Sequence, residues 1–348
     1  MALILGAGWS AAAGYALARD LITGPLYVTT PAASTRAHAV LRTFAAWSVL
    51  NPQGPAEMFL AEVFAGRIRR TPIKEAPTLF DADGGPPLPW SWAVETVQLR
   101  LSQRASVNPP EGSRTQALIY PRRHVNRLRY SANLTLPANS VPHTAFIRTV
   151  LGSGAELAGV LTTNYDTLAE RVLRHRPMRR DPEPGFHYGG LPRPQHAHGH
   201  LPWDRSDAHL SGGIGEIELT GTVPICKLHG SLNWQRRGTE IGLYRDQRLA
   251  YRHGGTAAII PPTAEKQAEA WLSSVWTEAE TILGTSHVWI VVGYSLPAYD
   301  HAIRDLLRRT ARAGAAHTVV IHDPCAAELA PQWSEITGGL DVVLKPGL

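Results

Sequence analysis

The amino terminus of the chain constrains its fold more than any other segment. The apolar run Met1–Leu5 predicts a short buried strand, Gly6-Ala-Gly8 predicts a tight turn, and Trp9–Gly14 predicts the start of a helix. Gly6 permits the turn, and Gly8 lets a phosphate approach the backbone. Unpaired N–H groups at the start of a helix attract anions, so this pattern predicts an anion-binding turn. Many turns contain glycines, and the interpretation therefore depends on segments further along the chain.

Composition excludes several classes of protein. The 348 residues suffice for one large or two modest domains, and 44% apolar with 18% charged residues is typical of a soluble globular protein. No run of about 18 apolar residues predicts a membrane span, and no secretory signal is expected. Cys226 and Cys325 are too few for a disulfide framework or a four-cysteine zinc site. We therefore expect a cytoplasmic protein without membrane association.

Alternating strands and helices predict a doubly wound, mostly parallel, Rossmann-like α/β sheet. We assign its core to residues 1–35, 136–175 and 221–348 of a single domain. A largely helical insertion is expected at 36–135, and a Pro/Gly/His-rich loop at 176–220. Strands are predicted at 157–162, 224–228, 287–292, 318–321 and 340–344, and helices at 167–174, where Thr167-Leu-Ala-Glu170 is a capping box, 266–283 and 301–312.

Polar residues follow three of the predicted strands, at the edge where such sheets bind ligands. Asn164 and Asp166 lie between a strand and a helix, His229 follows the strand at 224–228, and Gly293 with Ser295 leaves the strand at 287–292. Each also has a structural alternative. Asn and Asp satisfy turns, a lone His is often structural, and Asp300 can cap the helix that follows it.

Five short motifs in order resemble those of sirtuins, over residues 1–20, 136–174 and 221–325. They resemble the sirtuin opening motif, the helix leading to the catalytic loop, the loop itself, the catalytic-histidine motif and the ribose-contact motif. In this chain they read Gly6-Ala-Gly-Trp-Ser10 with Gly14 and Arg19, Pro142-His143-x-x-Phe146-Ile147, Thr163-x-x-Asp166 with Asn164 inside it, Leu228-His-Gly-Ser231, and Gly293-x-Ser295.

Departures from the deacylase pattern narrow the resemblance. Two isolated cysteines cannot build the zinc ribbon typical of protein-deacylating sirtuins, and Leu17 stands where deacylases usually have Asp. Thr162-Thr-Asn-Tyr-Asp166, Ile259-Ile-Pro-Pro-Thr263 and Gly293-Tyr-Ser-Leu-Pro297 are similar instead to the sirtuin-like NAD hydrolases of bacterial antiphage defence. That resemblance implies a glycohydrolase with NAD as substrate, no further cofactor and no bound metal.

The resemblance also implies roles for individual residues. Asn164 would orient the attacking water or the ribose hydroxyls, His229 would remove a proton, and Asp166 would orient the ribose or stabilise developing positive charge. A dehydrogenase is disfavoured because no acidic residue occurs between Asp20 and Glu57 to hold the adenosine ribose. The expected NAD contacts are Gly6, Ala7, Gly8, Trp9, Ser10, Arg19, Thr163, Gly293, Ser295 and Asp323.

Other activities and partners stay open at this point. The alternatives are a catalytically silent nucleotide-sensing subunit of a defence complex, an ADP-ribosyl transferase and a deacylase. Residues 100–180 contain 13 Arg and no Lys against four acids, which predicts either a solvated face or a surface for nucleic acid or an acidic partner around Arg122-Arg123. The resemblance favours a homo-oligomer or a partner defence protein. The His196–His200 cluster lacks convincing metal-ligand spacing.

Overall fold

The structure of the protein is a computed structural model. It describes residues 1–13, 22, 31–52, 54, 56–70, 86–102, 141–174, 186–191, 222–237, 240–243, 256–260, 270–298, 300–345 and 347. The chain divides into two compact units. The sheet unit contains Met1–Ala13, Leu136–Ile260 and Ala264–Leu348, and the helical unit contains Gly14–Thr135 and Pro261–Thr263.

The sheet unit contains ten strands and six α-helices among its described residues. A short 3-10 turn spans Ala270–Leu272. In chain order the elements of both units are β1 Ala2–Leu5, α1 Ala7–Ala12, α2 Pro31–Leu50, α3 Ala56–Phe64, α4 Trp90–Ser102, α5 Val141–Leu151, β2 Gly159–Thr162, α6 Leu168–Arg174, β3 Phe186–Tyr188, β4 Val223–Lys227, β5 Gly230–Arg237, β6 Glu240–Leu243, β7 Thr256–Ile259, α7 Ser273–Thr285, β8 Val288–Val292, α8 His301–Ala313, β9 Thr318–His322, α9 Ala326–Thr337 and β10 Asp341–Lys345.

Seven strands form one parallel sheet in the order β10-β9-β8-β1-β2-β4-β3. Strand β1 lies in the middle and pairs in parallel with β2 on one side and β8 on the other. All four residues of β1 and of β2 are buried, as expected for apolar strands covered on both faces. With its intervening helices the sheet confirms the predicted Rossmann-like α/β fold.

A second, antiparallel sheet lies between β4 and α7 in the chain, in the order β6-β5-β7. The sequence did not predict it. In β5 the polar Ser231, Asn233 and Gln235 are buried, as are Leu232 and Trp234. The strand therefore lacks the alternation of apolar and polar residues that identifies a half-exposed strand.

Two predicted boundaries need correction. The interval 176–220, predicted as a loop, contains β3, which pairs with β4 at the sheet edge. Helix α2 spans residues 31–50 in the helical unit, so the predicted start of the insertion at residue 36 falls inside a helix. A three-residue strand has no readable periodicity, and an alanine-rich helix has no marked apolar face.

The helices in the described part of the helical unit are α2, α3 and α4. Aromatic rings pack among these helices, with Phe44 5.1 Å from Phe59 and Trp47 5.5 Å from Phe59 between ring centroids. Trp47 and Phe59 are buried, whereas Phe64 is exposed. Trp47 and Phe59 therefore belong to the core of the unit, and Phe44, Trp90 and Trp92 are half-buried. Among the described residues, no helix combines the length and apolar character needed to cross a membrane.

Candidate functional site

The carboxyl ends of β4, β2, β1 and β8 lie side by side at one edge of the parallel sheet. The chain runs from β1 to β2 and β4 on one side and later returns to β8 on the other. This reversal marks the topological switch point of the sheet between β1 and β8, and open α/β sheets bind ligands in a crevice at that position. The segments that leave the four strands are Gly6–Ser10 after β1, Thr163–Thr167 after β2, Leu228–His229 after β4 and Gly293–Asp300 after β8.

The glycine turns after β1 and β8 pack directly on each other. Gly6 N donates to Val292 O at 3.0 Å, and Gly8 N donates to Gly293 O at 2.8 Å. A Cβ atom on Gly8 would lie 2.8 Å from Gly293 Cα, and Gly293 has a φ of +62°, in the left-handed region that favours glycine. Glycine is needed here because two backbones approach closely.

This packing corrects one expectation about the turn. Unpaired N–H groups at the start of the helix were predicted to face an anion. Gly8 N instead donates to Gly293 O, and Trp9 N donates to Gly6 O at 3.1 Å. These two donors serve the turn itself, because the segment after β8 supplies a carbonyl where a ligand oxygen was expected.

Asn164 links the segment after β2 to the turn after β1. Its Nδ2 donates to Gly6 O at 2.8 Å and to Ser10 Oγ at 2.9 Å. The backbone carbonyl of Gly6 only accepts, so the contact fixes the orientation of the amide. Both amide hydrogens are thereby used within the protein, and the Asn164 carbonyl oxygen is the atom left to accept a hydrogen bond from a ligand.

Asp166 is buried and serves the turn into α6. Its Oδ1 accepts a hydrogen bond from Leu168 N at 2.9 Å, and its backbone carbonyl accepts one from Lys227 Nζ. Asp166, rather than Thr167, therefore supplies this hydrogen bond at the start of α6. Glu170, predicted to complete a capping box, instead pairs with Lys227 Nζ at 3.1 Å.

A buried network of hydrogen bonds joins the segment after β2 to β5 and to Ile260, which follows β7. Tyr165 O accepts hydrogen bonds from Leu232 N at 3.0 Å and Ser231 Oγ at 3.2 Å, and Tyr165 OH donates to Ile260 O at 2.7 Å. Tyr188 OH donates to Glu170 Oε1 at 3.2 Å. Burial, together with the Glu170 charge, raises the pKa of Tyr188 well above its usual value. The phenol therefore remains a neutral donor.

His229 lies two residues beyond β4 and is buried. Its Nε2 is 3.7 Å from Asp300 Oδ1, and the other oxygen of Asp300 accepts a hydrogen bond from Tyr294 OH at 3.0 Å. Asp300 occupies the N-cap position of α8 but makes no side-chain cap hydrogen bond there. The carboxylate of Asp300 therefore does not cap α8, which was the alternative considered from the sequence. The sequence did not identify Asp300 as a neighbour of His229.

His143 on α5 contacts the turn after β1 through Trp9. The fully buried ring lies with Nε2 2.7 Å from Trp9 O, and its centroid is 4.4 Å from that of Trp9 in an edge-on arrangement. A carbonyl only accepts, so Nε2 bears the proton in this contact. His143 therefore has a structural role. The sequence analysis had identified it only as a member of a motif.

The remaining predicted contacts are dispersed. Thr163 N donates to Leu5 O at 3.3 Å, so Thr163 continues the sheet. Ser295 is exposed, and Asp323 Oδ1 accepts from Cys325 N at 2.8 Å in the turn after β9. Ala7 is half-buried at the start of α1. The predicted positions outside the described residues are Gly14, Leu17, Arg19, Arg122, Arg123 and His196–His200.

No family model matches this chain, and a search of the curated proteins finds no match. The assignment of a function therefore rests on the residues of the crevice and on the motifs from which they were predicted.

Proposed function

We propose that this chain is an NAD glycohydrolase, which cleaves NAD to nicotinamide and ADP-ribose. The observation that carries the proposal is the pair of hydrogen bonds from Asn164 to Gly6 O and Ser10 Oγ. These bonds join the motif that resembles the sirtuin catalytic loop to the motif that resembles the sirtuin nucleotide-binding turn. A ligand that spans both segments requires such a connection, because each must keep its place relative to the other.

The substrate would lie over the crevice between β1 and β8, with its pyrophosphate toward the start of α1 and its nicotinamide ribose toward β2 and β4. The carbonyl oxygen of Asn164 would accept a hydrogen bond from a ribose hydroxyl or from the attacking water. This role follows from the engagement of both amide hydrogens with the protein.

In the proposed reaction the bond between C1′ of the ribose and the nicotinamide nitrogen breaks, and its electron pair leaves with nicotinamide. The ribose becomes an oxocarbenium-like cation, which a water attacks at C1′. The water passes its proton to the His229 imidazole, which then releases it to solvent. Asp166 would contribute negative charge that favours the cationic ribose. The hydrogen bond from Leu168 N to Oδ1 holds this carboxylate in place.

A nucleotide-sensing subunit without catalysis is the second candidate. This candidate is favoured because several donors at the site already form hydrogen bonds within the protein. They are Asn164 Nδ2, Gly8 N and Trp9 N. Such a protein would bind NAD or ADP-ribose and release no nicotinamide. Transfer of ADP-ribose or deacylation would use the same crevice with a different acceptor.

The resemblance further supports a role as the effector of an antiphage defence system in the cytoplasm. We propose that the chain forms a homo-oligomer or acts beside a partner defence protein, and that the Arg-rich segment near Arg122-Arg123 recruits an acidic partner or nucleic acid. Light scattering should then give a species larger than the 37.9 kDa of one chain. A monomer at tens of micromolar, with and without NAD, would contradict self-assembly.

The test is release of nicotinamide from NAD, measured by chromatography, for the parent and for Asn164→Ala and His229→Ala. Each substitution should remove about 2–4 kcal/mol of transition-state stabilisation and so lower turnover roughly 30- to 1000-fold. His287→Ala is the matched control, because His287 precedes β8 and lies at the opposite end of that strand. Near-normal turnover in either site variant would refute the assignment. Thermal stabilisation by ADP-ribose without any nicotinamide release would favour the sensor.

A further inference from the structure

Asp300 and His229 meet although their strands are well separated in the sheet. Asp300 follows β8 and His229 follows β4, and β1 and β2 lie between those strands. With strands about 4.8 Å apart, β8 and β4 are separated by roughly 14 Å. Their side chains nevertheless approach to 3.7 Å, and both are buried. The two segments therefore reach toward each other over the carboxyl ends of β1 and β2.

The segment between β8 and α8 is held in an unusual conformation. Leu296 has a φ of 54°, which is rare for a residue other than glycine, yet its side chain is fully buried. Arg304 Nη1 donates to Leu296 O at 3.1 Å, and Tyr294 OH holds Asp300 Oδ2. A strained backbone persists where its surroundings determine it, and such strain is concentrated at functional sites. Here the result is a carboxylate directed at an imidazole.

We propose that Asp300 is the positioning residue of His229. This inference rests on the proposed function. The carboxylate orients the imidazole and stabilises the imidazolium that forms when His229 accepts the proton of the attacking water. The water oxygen forms its bond to C1′, and its proton moves to His229.

The geometry also assigns the two ring nitrogens. Nε2 faces Asp300 and so carries the proton in the neutral ring, which leaves Nδ1 as the base. The separation of 3.7 Å exceeds a hydrogen bond, but catalytic contacts of this kind tighten when substrate binds.

The groups around His229 are compatible with this assignment. From the segment between β8 and α8, Asp300 faces it, and Tyr294 OH donates to the other oxygen of that carboxylate. From the segment after β2, the Tyr165 ring lies 6.2 Å away between centroids, with its hydroxyl bonded to a backbone carbonyl. From Ile260, which directly follows β7, a backbone N–H donates to the His229 carbonyl at 2.8 Å. The nearest basic residue in sequence, Lys227, is engaged by the segment after β2 and by α6.

The experiment is the pH dependence of kcat/KM for NAD hydrolysis by the parent and by Asp300→Asn. A carboxylate next to an imidazole favours the charged imidazolium, so the loss of the Asp300 charge should lower the pKa of His229. Since protonated His229 cannot act as a base, the acid limb of the variant should move to lower pH, and kcat/KM should fall about tenfold or more. Asp305→Asn, which removes an exposed carboxylate on the helix that Asp300 precedes, is the matched control and should change neither quantity.

Two outcomes would overturn the proposal. One is an unchanged kcat/KM in Asp300→Asn. The other is reduced activity with the parent's acid limb, which would indicate a structural role only. Asp300→Glu keeps the charge and should keep the acid limb even where turnover falls.

Nitrogen NMR of His229 in the parent protein supplies a test that needs neither catalysis nor a folded variant. The neutral ring should carry its proton on Nε2, and a proton on Nδ1 would overturn the proposal. If the protein releases no nicotinamide, the NMR result still tests whether His229 presents a protonated Nε2 to Asp300. The failure of the proposed function and the failure of this inference are therefore separate results.

Discussion

The buried ion pair between Lys227 and Glu170 allows a quantitative prediction about the stability of the protein. The Lys227 side chain is 0% exposed and that of Glu170 is 5% exposed, with 3.1 Å between Nζ and Oε1. Lys227→Met fills a similar volume but leaves the Glu170 carboxylate in the interior with Tyr188 OH as its donor at 3.2 Å. The other carboxylate oxygen, Oε2, is buried without a hydrogen-bond partner.

We expect Lys227→Met to lower the free energy of unfolding by about 3–5 kcal/mol, because the remaining charge is buried and uncompensated. Glu170→Met should have a similar effect, since it strands the ammonium. The double substitution Lys227→Met with Glu170→Met removes both charges and should cost less than either single change, because well-packed apolar residues can replace a buried pair with little loss.

Urea unfolding, with the midpoint and slope determined for each variant, measures these differences. Arg309→Met is the matched control. Arg309 pairs with Glu280 at 3.5 Å, but the two side chains are 58% and 49% exposed, and such pairs contribute about 0–1 kcal/mol. The reasoning fails if Lys227→Met costs no more than the control, or if the two single changes simply add in the double variant.

Other predictions follow from the same structure. Burial raises the pKa of the Cys226 thiol, whereas Cys325 is exposed, so a thiol reagent should label one cysteine in the native protein and two in denaturant; two fast thiols under native conditions would contradict this. Gly293→Ala should lower the thermal midpoint and abolish stabilisation by ADP-ribose, because its Cβ would overlap the backbone at Trp9 N and Gly8 in a left-handed conformation; Gly284→Ala on α7, where nothing lies within 4 Å of the added carbon, should be neutral or stabilising. EDTA should leave both the thermal midpoint and nicotinamide release unchanged, and stoichiometric zinc in protein purified without a histidine tag would refute the prediction of a metal-free site.

The core strands could be predicted because their signal is local. β1, β2, β8 and β9 are short apolar runs bounded by turn residues, and burial in the parallel sheet follows directly from that pattern. The helix α8 has its buried residues at helical spacing, and its predicted bounds differ from the observed ones by one residue at the carboxyl end. Whether elements of this kind form is determined mainly by the pattern of their own residues, so the sequence predicts them.

Elements that depend on a distant partner could not be predicted. β3 has three residues and exists through its pairing with β4, and β5 carries polar residues that are buried because β6, β7 and the Tyr188 network satisfy them. A hydrogen bond to a residue far along the chain leaves no periodic signal. The same reason explains why Glu170, which resembles a capping residue in the sequence, pairs with Lys227 instead.

The sequence by itself determined which polar residues follow which strands, since a strand-to-helix turn and its residues are adjacent in the chain. Asn164, His229 and Gly293 were identified in that way. Only the tertiary structure decided their partners. The contacts of Asn164 with Gly6 and of Gly8 with Gly293 join residues more than 150 positions apart, and Asp300 reaches His229 across two intervening strands. Which strands become neighbours depends on the burial of the whole sheet, and the chemistry of the crevice depends on that arrangement.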